Sequence, residues 1–317
     1  MIDVIIPAYN AHDTIEQTLC SIAYQTMTDL INVYIIDDYS KKDYSEIVSF
    51  FGHFLNIKLI RLDQNSGPGV ARQYGIDHSS GKYIIFIDAD DIFSDSFSVK
   101  TLYDSIEKDN NDIVVGKFIE ESNNTFYDHI HDTTWLHGKI YRRTFLENNN
   151  IRFNNTRANE DNGFNQLCLL CNPKIKFIDD KIYIWRNNVK SITRINDHEY
   201  QLTGLEGFAN NINYALEEGL KRNCKLEDFS NLAFSTLISE YYYYLRYYYE
   251  KEINKMLKLS KHTLELYNIY PIDEDKQTEL MKNHLKSLMS EDEDLKYMLR
   301  PVISFESFLE LLKGMGD

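Results

Sequence analysis

The stretch Val4-Ile5-Ile6-Pro7, Asp13-Thr14-Ile15-Glu16 and Val33-Tyr34-Ile35-Ile36 decides the fold. Two apolar, β-branched runs bracket a segment in which Ile15, Leu19, Ile22 and Ala23 fall on one helical face. Asp13, with Glu16 three residues later, has the spacing of a capping box. This is a βα unit, and it recurs. Ile57–Leu62 and Tyr83–Ile87 read as further strands with little polar alternation, as expected when both faces are covered. Ile47, Val48 and Phe51 suggest a second helix, and Val70, Ala71 and Tyr74 a third. A β-α-β-α-β-α-β series predicts an α/β fold, a mostly parallel sheet with helices on both faces.

Beyond about residue 200 the pattern turns helical. Leu226, Phe229, Ala233, Leu237, Tyr241, Leu245 and Tyr248 recur at steps of three and four, so a domain at 1–204 followed by a helical C-terminal domain at 205–317 is expected. The Tyr241–Tyr244 and Tyr247–Tyr249 clusters suit either sugar stacking or packing against the sheet domain or a second copy, with packing the simpler account. The acidic run Glu291–Asp294 reads as a solvated surface feature.

Composition excludes several classes. Of 317 residues 43% are hydrophobic and 26% charged, which rules out a largely disordered chain. The net charge of −15 would repel a phosphate backbone, so nucleic acid is not an expected partner. The apolar runs are strand-length, so no membrane span is expected, and the N-terminus lacks the basic region and cleavage site of a signal peptide. A cytoplasmic protein is the expectation. Cys20, Cys168, Cys171 and Cys224 are too scattered for a disulfide framework. Cys168 and Cys171 form a C-x-x-C in an apolar stretch, which reads as buried helical thiols rather than a redox or zinc pair.

Ligands of open parallel sheets bind beyond the carboxyl ends of the strands. Tyr9 and Asn10 follow the first strand, Asp37 and Asp38 the second, Gly67, Gly69 and Arg72 the third, and Asp88-Ala89-Asp90-Asp91 the fourth. Three carboxylates in four residues repel one another unless a cation compensates. The EF-hand pattern fails at Phe93 and Val99, so Mn²⁺ or Mg²⁺ shared with substrate phosphates is the better fit, which implies a nucleotide ligand. Neither a G-x-G-x-x-G after the first strand nor a P-loop is present, which removes support for hydride transfer and ATP hydrolysis.

Taken in order, Val4–Asn10, Ile36-Asp37-Asp38-Tyr39-Ser40, Asn65–Arg72, Ile87–Asp91 and Asn159-Glu160-Asp161 resemble the inverting glycosyltransferases of family 2, which have the GT-A fold. Gly138–Arg143 and Ser191-Ile192-Thr193-Arg194 also look like the family. The resemblance implies a nucleotide-diphosphate sugar donor, expected to be UDP-linked, and a glycan, lipid-linked or protein acceptor. It implies that Tyr9 packs against the base beside Pro7, that Asp38 accepts from the base N–H, and that Arg72 lies near the base and its phosphate. Asp88 would approach the ribose and cation, with Ala89 next to it, and Asp90 would be the direct metal ligand. Asp91 would support the metal ligands from behind or be structural, and Asp161, beside Glu160, would be the general base. One departure is Tyr39, which stands where the family usually has glycine, although tyrosine tolerates positive φ poorly.

Elementary chemistry agrees with this assignment. An acceptor hydroxyl is a weak nucleophile, so a carboxylate must take its proton as it attacks, and direct in-line displacement inverts the anomeric centre. Two other readings compete. A nucleotidyltransferase would want a basic loop where Ala8–Asp13 has no Lys or Arg. A catalytically inactive sugar-binding module has no need of acidic residues at 88, 90 and 161. Trp135 suits sugar stacking or a core, and His137 and His198 suit a further metal ligand or a structural place.

Overall fold

The structure, a computed structural model, describes residues 1–122, 125–188, 198–247, 253–291 and 303–316. The Ser191–Arg194 motif, Tyr248, Tyr249, residues 292–294 of the acidic run and the side chain of His198 lie outside the described residues. The chain divides into two compact units, residues 1–169 with 173–195, and 170–172 with 196–317.

The first unit runs β1 (Ile2–Ala8), α1 (Ile15–Ala23), β2 (Ile31–Asp37), α2 (Ser45–Phe51), β3 (Asn56–Arg61), α3 (Pro68–Asp77) and β4 (Tyr83–Phe86). It continues β5 (Ile92–Phe93), α4 (Ser98–Lys108), β6 (Ile113–Ser122), β7 (Thr125–His129), β8 (Lys139–Arg142), α5 (Arg143–Asn148), α6 (Glu160–Leu170) and β9 (Ile175–Trp185). The strands form one sheet in the order β3-β2-β1-β4-β8-β6-β9-β5, with β7 paired to β6. β3, β2, β1 and β4 are parallel, as the repeated βα units predict. Past β4 the sheet is mixed, because β8 pairs antiparallel with both β4 and β6 while β6 and β9 run parallel.

Both faces are covered. Val4 and Ile6 of β1 pack in one cluster with Ile15, Leu19 and Ile22 of α1 and with Leu102 and Ile106 of α4. Ile5, pointing the other way along the pleat, meets α3 so closely that a Cβ on Gly75 would lie 2.5 Å from its Cγ2. α1 starts at Ile15, one residue later than a cap at Asp13 would set it: Thr14 takes the cap position and its hydroxyl donates back to the Ala11 carbonyl (3.2 Å) instead of capping the helix.

Gly138–Arg143 is a structural knot. The Arg142 guanidinium donates to the carbonyls of Asn111 (2.8 Å) and Ile106 (3.1 Å). Arg143 donates to the carbonyls of Gly81 (2.6 Å) and Ile76 (3.0 Å) and to the fully buried Asp3 carboxylate on β1 (2.9 Å). That carboxylate also accepts from the Gly81 N–H and the Asn32 amide, so its charge is fully partnered.

The second unit holds α7 (His198–Lys221), α8 (Leu226–Tyr247), α9 (Ile253–Tyr267), α10 (Glu274–Glu291) and α11 (Phe305–Gly314). Position 204/205, where the sequence suggests the change of domain, falls inside α7, whose polar first turn carries no apolar stripe to mark its start. The apolar face read from the sequence is the core face of α8 from Phe229 on, since Phe229, Ala233, Leu237 and Tyr241 are buried with residues of α7, α9 and α11, while Leu226 at its start is exposed. Tyr241 packs on Phe305 and Phe308, and its hydroxyl donates to the Ile303 carbonyl (2.7 Å). Its packing is therefore within the helical unit itself. Cys168 is buried and Cys171 half-buried, and neither belongs to a metal-ligand cluster among the described residues. Among those residues no helix is long and apolar enough to cross a membrane.

Candidate active site

Parallel register brings the ends of β1, β2 and β4 together. Ala8 pairs with Asp37 across β1 and β2, Ile5 with Phe86 across β1 and β4, and the Asp38 N–H donates to the Ala8 carbonyl (2.9 Å). The loops after β1 and β2 are tied directly: the Asn10 N–H donates to Ser40 Oγ and the Lys41 N–H to Asn10 Oδ1, both at 2.9 Å. Tyr9 and Tyr39 project from these joined loops with about half their surface exposed, at 51% and 53%.

Asp38 is turned inward. Its two carboxylate oxygens accept from the N–H groups of Ser66 (2.7 Å) and Gly67 (2.8 Å), and the residue is only 3% exposed. The oxygens expected to meet a base N–H each accept one bond from the loop that opens α3, where Gly67 has φ +94°. Asp37 is equally committed, to the Ser40 N–H (2.8 Å) and to Arg61 (2.6 Å). Tyr39 keeps the left-handed conformation of the glycine it replaces, with φ +65°, at a cost of about 1–3 kcal/mol. The Arg61 guanidinium over its ring, at 5.1 Å, offsets part of that cost.

Arg72, on α3, joins the two acidic motifs. Its guanidinium is buried and donates to Asp88 Oδ1 (2.6 Å) and to Glu160 Oε1 (2.5 Å), while its Nε has no partner among the described residues. Burial alone would lower its pKa, but Asp88 and Glu160 hold it well above the ordinary value. Arg72 therefore bridges the D-x-D turn and the start of α6. Gly69 allows this approach, since a Cβ there would lie 2.8 Å from Glu160 Cγ. Asn159, with φ +58°, turns the chain into α6 and sets Glu160 and Asp161 in its first turn.

The carboxylates diverge in character. Burial opposes charge on Asp88, yet Arg72 and then His137 hold its pKa well below the usual range. Burial, reinforced by Glu160 and moderated by Arg72, pushes Asp161 up to about 7. Asp90 is raised by burial and by Asp88, and its carboxylate accepts from the Asn188 amide (2.9 Å). Asp91 is raised by burial, then by Asp90 and Asp88, and accepts from the Tyr183 hydroxyl (2.5 Å) and the Arg186 N–H (2.8 Å). Asp91 thus fastens the turn to the end of β9. Negative charge accumulated beyond what Arg72 neutralises, on hard oxygen ligands, is a donor set that fits a divalent cation.

Sequence reasoning missed the contribution of β9. Tyr183, Arg186 and Asn188 reach the D-x-D turn across more than ninety positions because β9 pairs antiparallel with β5, setting Tyr183 opposite Phe93. The alternating aromatic run Tyr183-Ile184-Trp185 was the available signal.

A mixed sheet of this order, with an acidic turn after its fourth strand and a carboxylate pair opening a later helix, defines the GT-A class of glycosyltransferases. Residues 3–158 match the family model for glycosyl transferase family 2, and the chain carries a domain of that family. Glycosyltransferase GlyA of Streptococcus pneumoniae is 27% identical over 223 residues, covering 61% of this chain and 32% of GlyA. The poly(ribitol-phosphate) beta-N-acetylglucosaminyltransferase TarS of Staphylococcus aureus is 28% identical over 201 residues, covering 57% of this chain and 35% of TarS. The chain thus spans about a third of the length of each. The structure of TarS 1-349 in complex with UDP-GlcNAc superposes with a TM-score of 0.70 at 19% identity, covering 84% of this chain and 81% of that one. The mannosyltransferase PcManGT of Pyrobaculum calidifontis, in complex with GDP-Man and Mn²⁺, gives 0.57 at 12% identity, covering 98% and 85%.

Proposed function

We propose that this chain transfers a sugar from a nucleotide-diphosphate sugar, UDP-linked, to an acceptor hydroxyl with inversion. The observation that carries the reading is the split between two acidic motifs joined by one buried guanidinium. Asp88 is held ionised at the donor end, and Asp161 is held near neutrality at the far end of Arg72. A carboxylate poised near pH 7 is matched to taking the proton of an attacking hydroxyl, and Asp161 is assigned that step. Glu160 stays bound to Arg72 and keeps the first turn of α6 in place. Tyr9, beside Pro7, offers an exposed ring for the base. Asp38 acts through the Ser66–Gly67 loop, with Ala89 packed beneath the turn. A divalent cation, Mn²⁺ or Mg²⁺ on Asp88 and Asp90, would supply neutralisation of the leaving diphosphate.

The complexes of TarS with UDP-GlcNAc and of PcManGT with GDP-Man and Mn²⁺ support the donor class and the cation. The acceptor is a hydroxyl of a glycan, lipid-linked or protein-linked chain. A cytoplasmic setting belongs to the same proposal, because bilayers exclude a multiply charged donor. Calorimetry of UDP binding tests the reading. UDP should bind in Mn²⁺ or Mg²⁺ and be lost in EDTA. Equal affinity in EDTA would remove the cation, and failure to bind UDP in any cation would remove the UDP-linked donor.

A further inference from the structure

The reaction as derived leaves unused a line of aromatic side chains on β6, β7 and β9. Glu120 of β6 pairs with Tyr127 of β7 on one side and with Trp185 of β9 on the other, and Phe118, two residues earlier, pairs with His129 and Tyr183. Residues paired across strands, or two apart on one strand, share a face of the sheet. All six therefore lie on the same side. The line is rooted at the acidic turn, where the Tyr183 hydroxyl donates to Asp91. His137 lies nearly parallel to Tyr183, with ring centroids 4.5 Å apart, and to Trp135 at 6.0 Å, while Trp185 leans across Trp135 at 5.4 Å. At the outer end Tyr127 is 54% exposed, and both tryptophans are half-buried.

Trp135 is fixed through its backbone. Its N–H donates to Asp132 Oδ1 (2.9 Å), and its carbonyl accepts from the buried Lys139 ammonium and from the Asn165 amide (3.0 Å). Asn165 also donates to the Thr134 carbonyl (2.9 Å) and accepts from the Tyr141 hydroxyl (2.7 Å). Four residues after Asp161, it stands on the same face of α6, so one helix positions both this tryptophan and the assigned base. A ring that only fills a core needs no tie to a base. One that must present a ligand to that base does.

Strand order and charge say what meets the rings. Tyr9 follows β1 on one side of β4, whereas β6 and β9 lie on the other, so the aromatic line is across the acidic turn from the ring offered to the base. That leaves it for the acceptor. Lys117, Lys176, Lys181 and Arg186, the lysines and arginines of β6, β9 and the residue after it, are each paired with a carboxylate, Asp179, Asp109, Asp128 and Glu121, at 2.7–3.7 Å. β7 has no lysine or arginine, and Glu120 stands within the line itself. A polyanion would be repelled here. A pyranose instead offers apolar C–H faces to the rings and hydroxyls to the carboxylate. We propose that Trp135, Trp185 and Tyr127 form a stacking platform for an uncharged sugar residue of the acceptor, with Glu120 accepting from its hydroxyls. That the sugar belongs to an acceptor rests on the glycosyltransferase reading above, whereas the platform itself does not.

The chain has two tryptophans, Trp135 and Trp185, so its intrinsic fluorescence reports this platform alone. The test titrates the full chain, with and without UDP and Mn²⁺, with neutral oligosaccharides of glucose, galactose, mannose and N-acetylglucosamine, and with poly(ribitol phosphate) as the anionic probe. At least one neutral oligosaccharide should give a saturable change in emission that salt does not abolish. Trp185→Ala should weaken that binding by on the order of tenfold, the loss of one stacked ring, with Trp135 left to report it. Tyr127→Ala, which removes an exposed ring outside the core, should weaken it severalfold. No response to any neutral oligosaccharide, or one that survives unchanged in both variants, overturns the platform. A response to poly(ribitol phosphate) alone, lost in salt, overturns the uncharged acceptor. Calorimetry with UDP and Mn²⁺ separates the two readings: UDP binding without a saccharide response removes the platform alone, and a Trp185-dependent saccharide response without UDP binding removes the donor reading and leaves the platform standing.

Discussion

Replacing Asp161 by Asn removes the proposed base while preserving the shape of the site. The Asn side-chain oxygen can still accept from the Asn162 N–H, which Asp161 Oδ1 does at 2.8 Å, so the first turn of α6 should not move. General-base catalysis contributes about 10²–10⁴-fold, and turnover with the true acceptor should fall by that factor. The structure also sets the pH dependence. With Asp161 at about 7, roughly a tenth of it is ionised at pH 6 and roughly nine-tenths at pH 8. The kcat/KM of the unmutated enzyme should therefore rise about tenfold between those values, reporting the free enzyme's base, and Asp161→Asn should lose this rise. UDP–Mn²⁺ affinity, measured by calorimetry, should change far less than turnover, because Asp88 keeps its bond to Arg72 in the variant. Initial rates against pH on both proteins are the assay. An Asp161→Asn enzyme with near-normal turnover, or one retaining the rise between pH 6 and 8, would refute the assignment and make Glu160 the next candidate.

Gly69→Ala should disturb the base from the far side of Arg72, because its Cβ would meet Glu160 Cγ at 2.8 Å and the Asn154 carbonyl at 3.2 Å. We expect a loss of about 1–3 kcal/mol in denaturant unfolding together with reduced turnover, and an unchanged midpoint would contradict the close approach. Glu240 tests the helical unit. It is fully buried, accepts from the Thr263 hydroxyl (2.9 Å), and burial raises it from 4.5 to about 8. Because the unfolded chain releases this proton first, the stabilisation is complete below pH 4.5 and disappears as pH rises to about 8, a loss on the order of 5 kcal/mol at most. Glu240→Gln should flatten the melting temperature of the helical unit across pH 5–8, and an unaltered slope would assign the slope elsewhere.

The parallel half of the sheet was legible because its causes are local. Apolar strands covered on both faces, an amphipathic helix after each, and polar residues at each strand end follow from neighbouring residues alone. What escaped depends on distant pairings. Nothing near Lys139–Arg142 says that β8 inserts antiparallel between β4 and β6, since four buried residues in a row suit either direction. Asp38 shows the same limit within the site. A sequence can place it at the end of β2, but only the packed loop reveals that both its oxygens face the amides of Ser66 and Gly67. Arg72 likewise carries no mark in its own surroundings that Glu160 is its second partner, 88 positions on.

The Asp3–Arg143 pair has a consequence for how the chain is made. On the ribosome β1 to β4 emerge well before Arg143, which lies 140 positions after its partner. A nascent chain ending at residue 130 could pair its parallel strands, but it would bury the Asp3 carboxylate without a guanidinium and leave β4 with an open edge where β8 belongs. Either defect costs enough to keep such an intermediate loose. The parallel half of the sheet, for all its local connections, is therefore not expected to complete its folding during synthesis until the strand that inserts beside it has been translated.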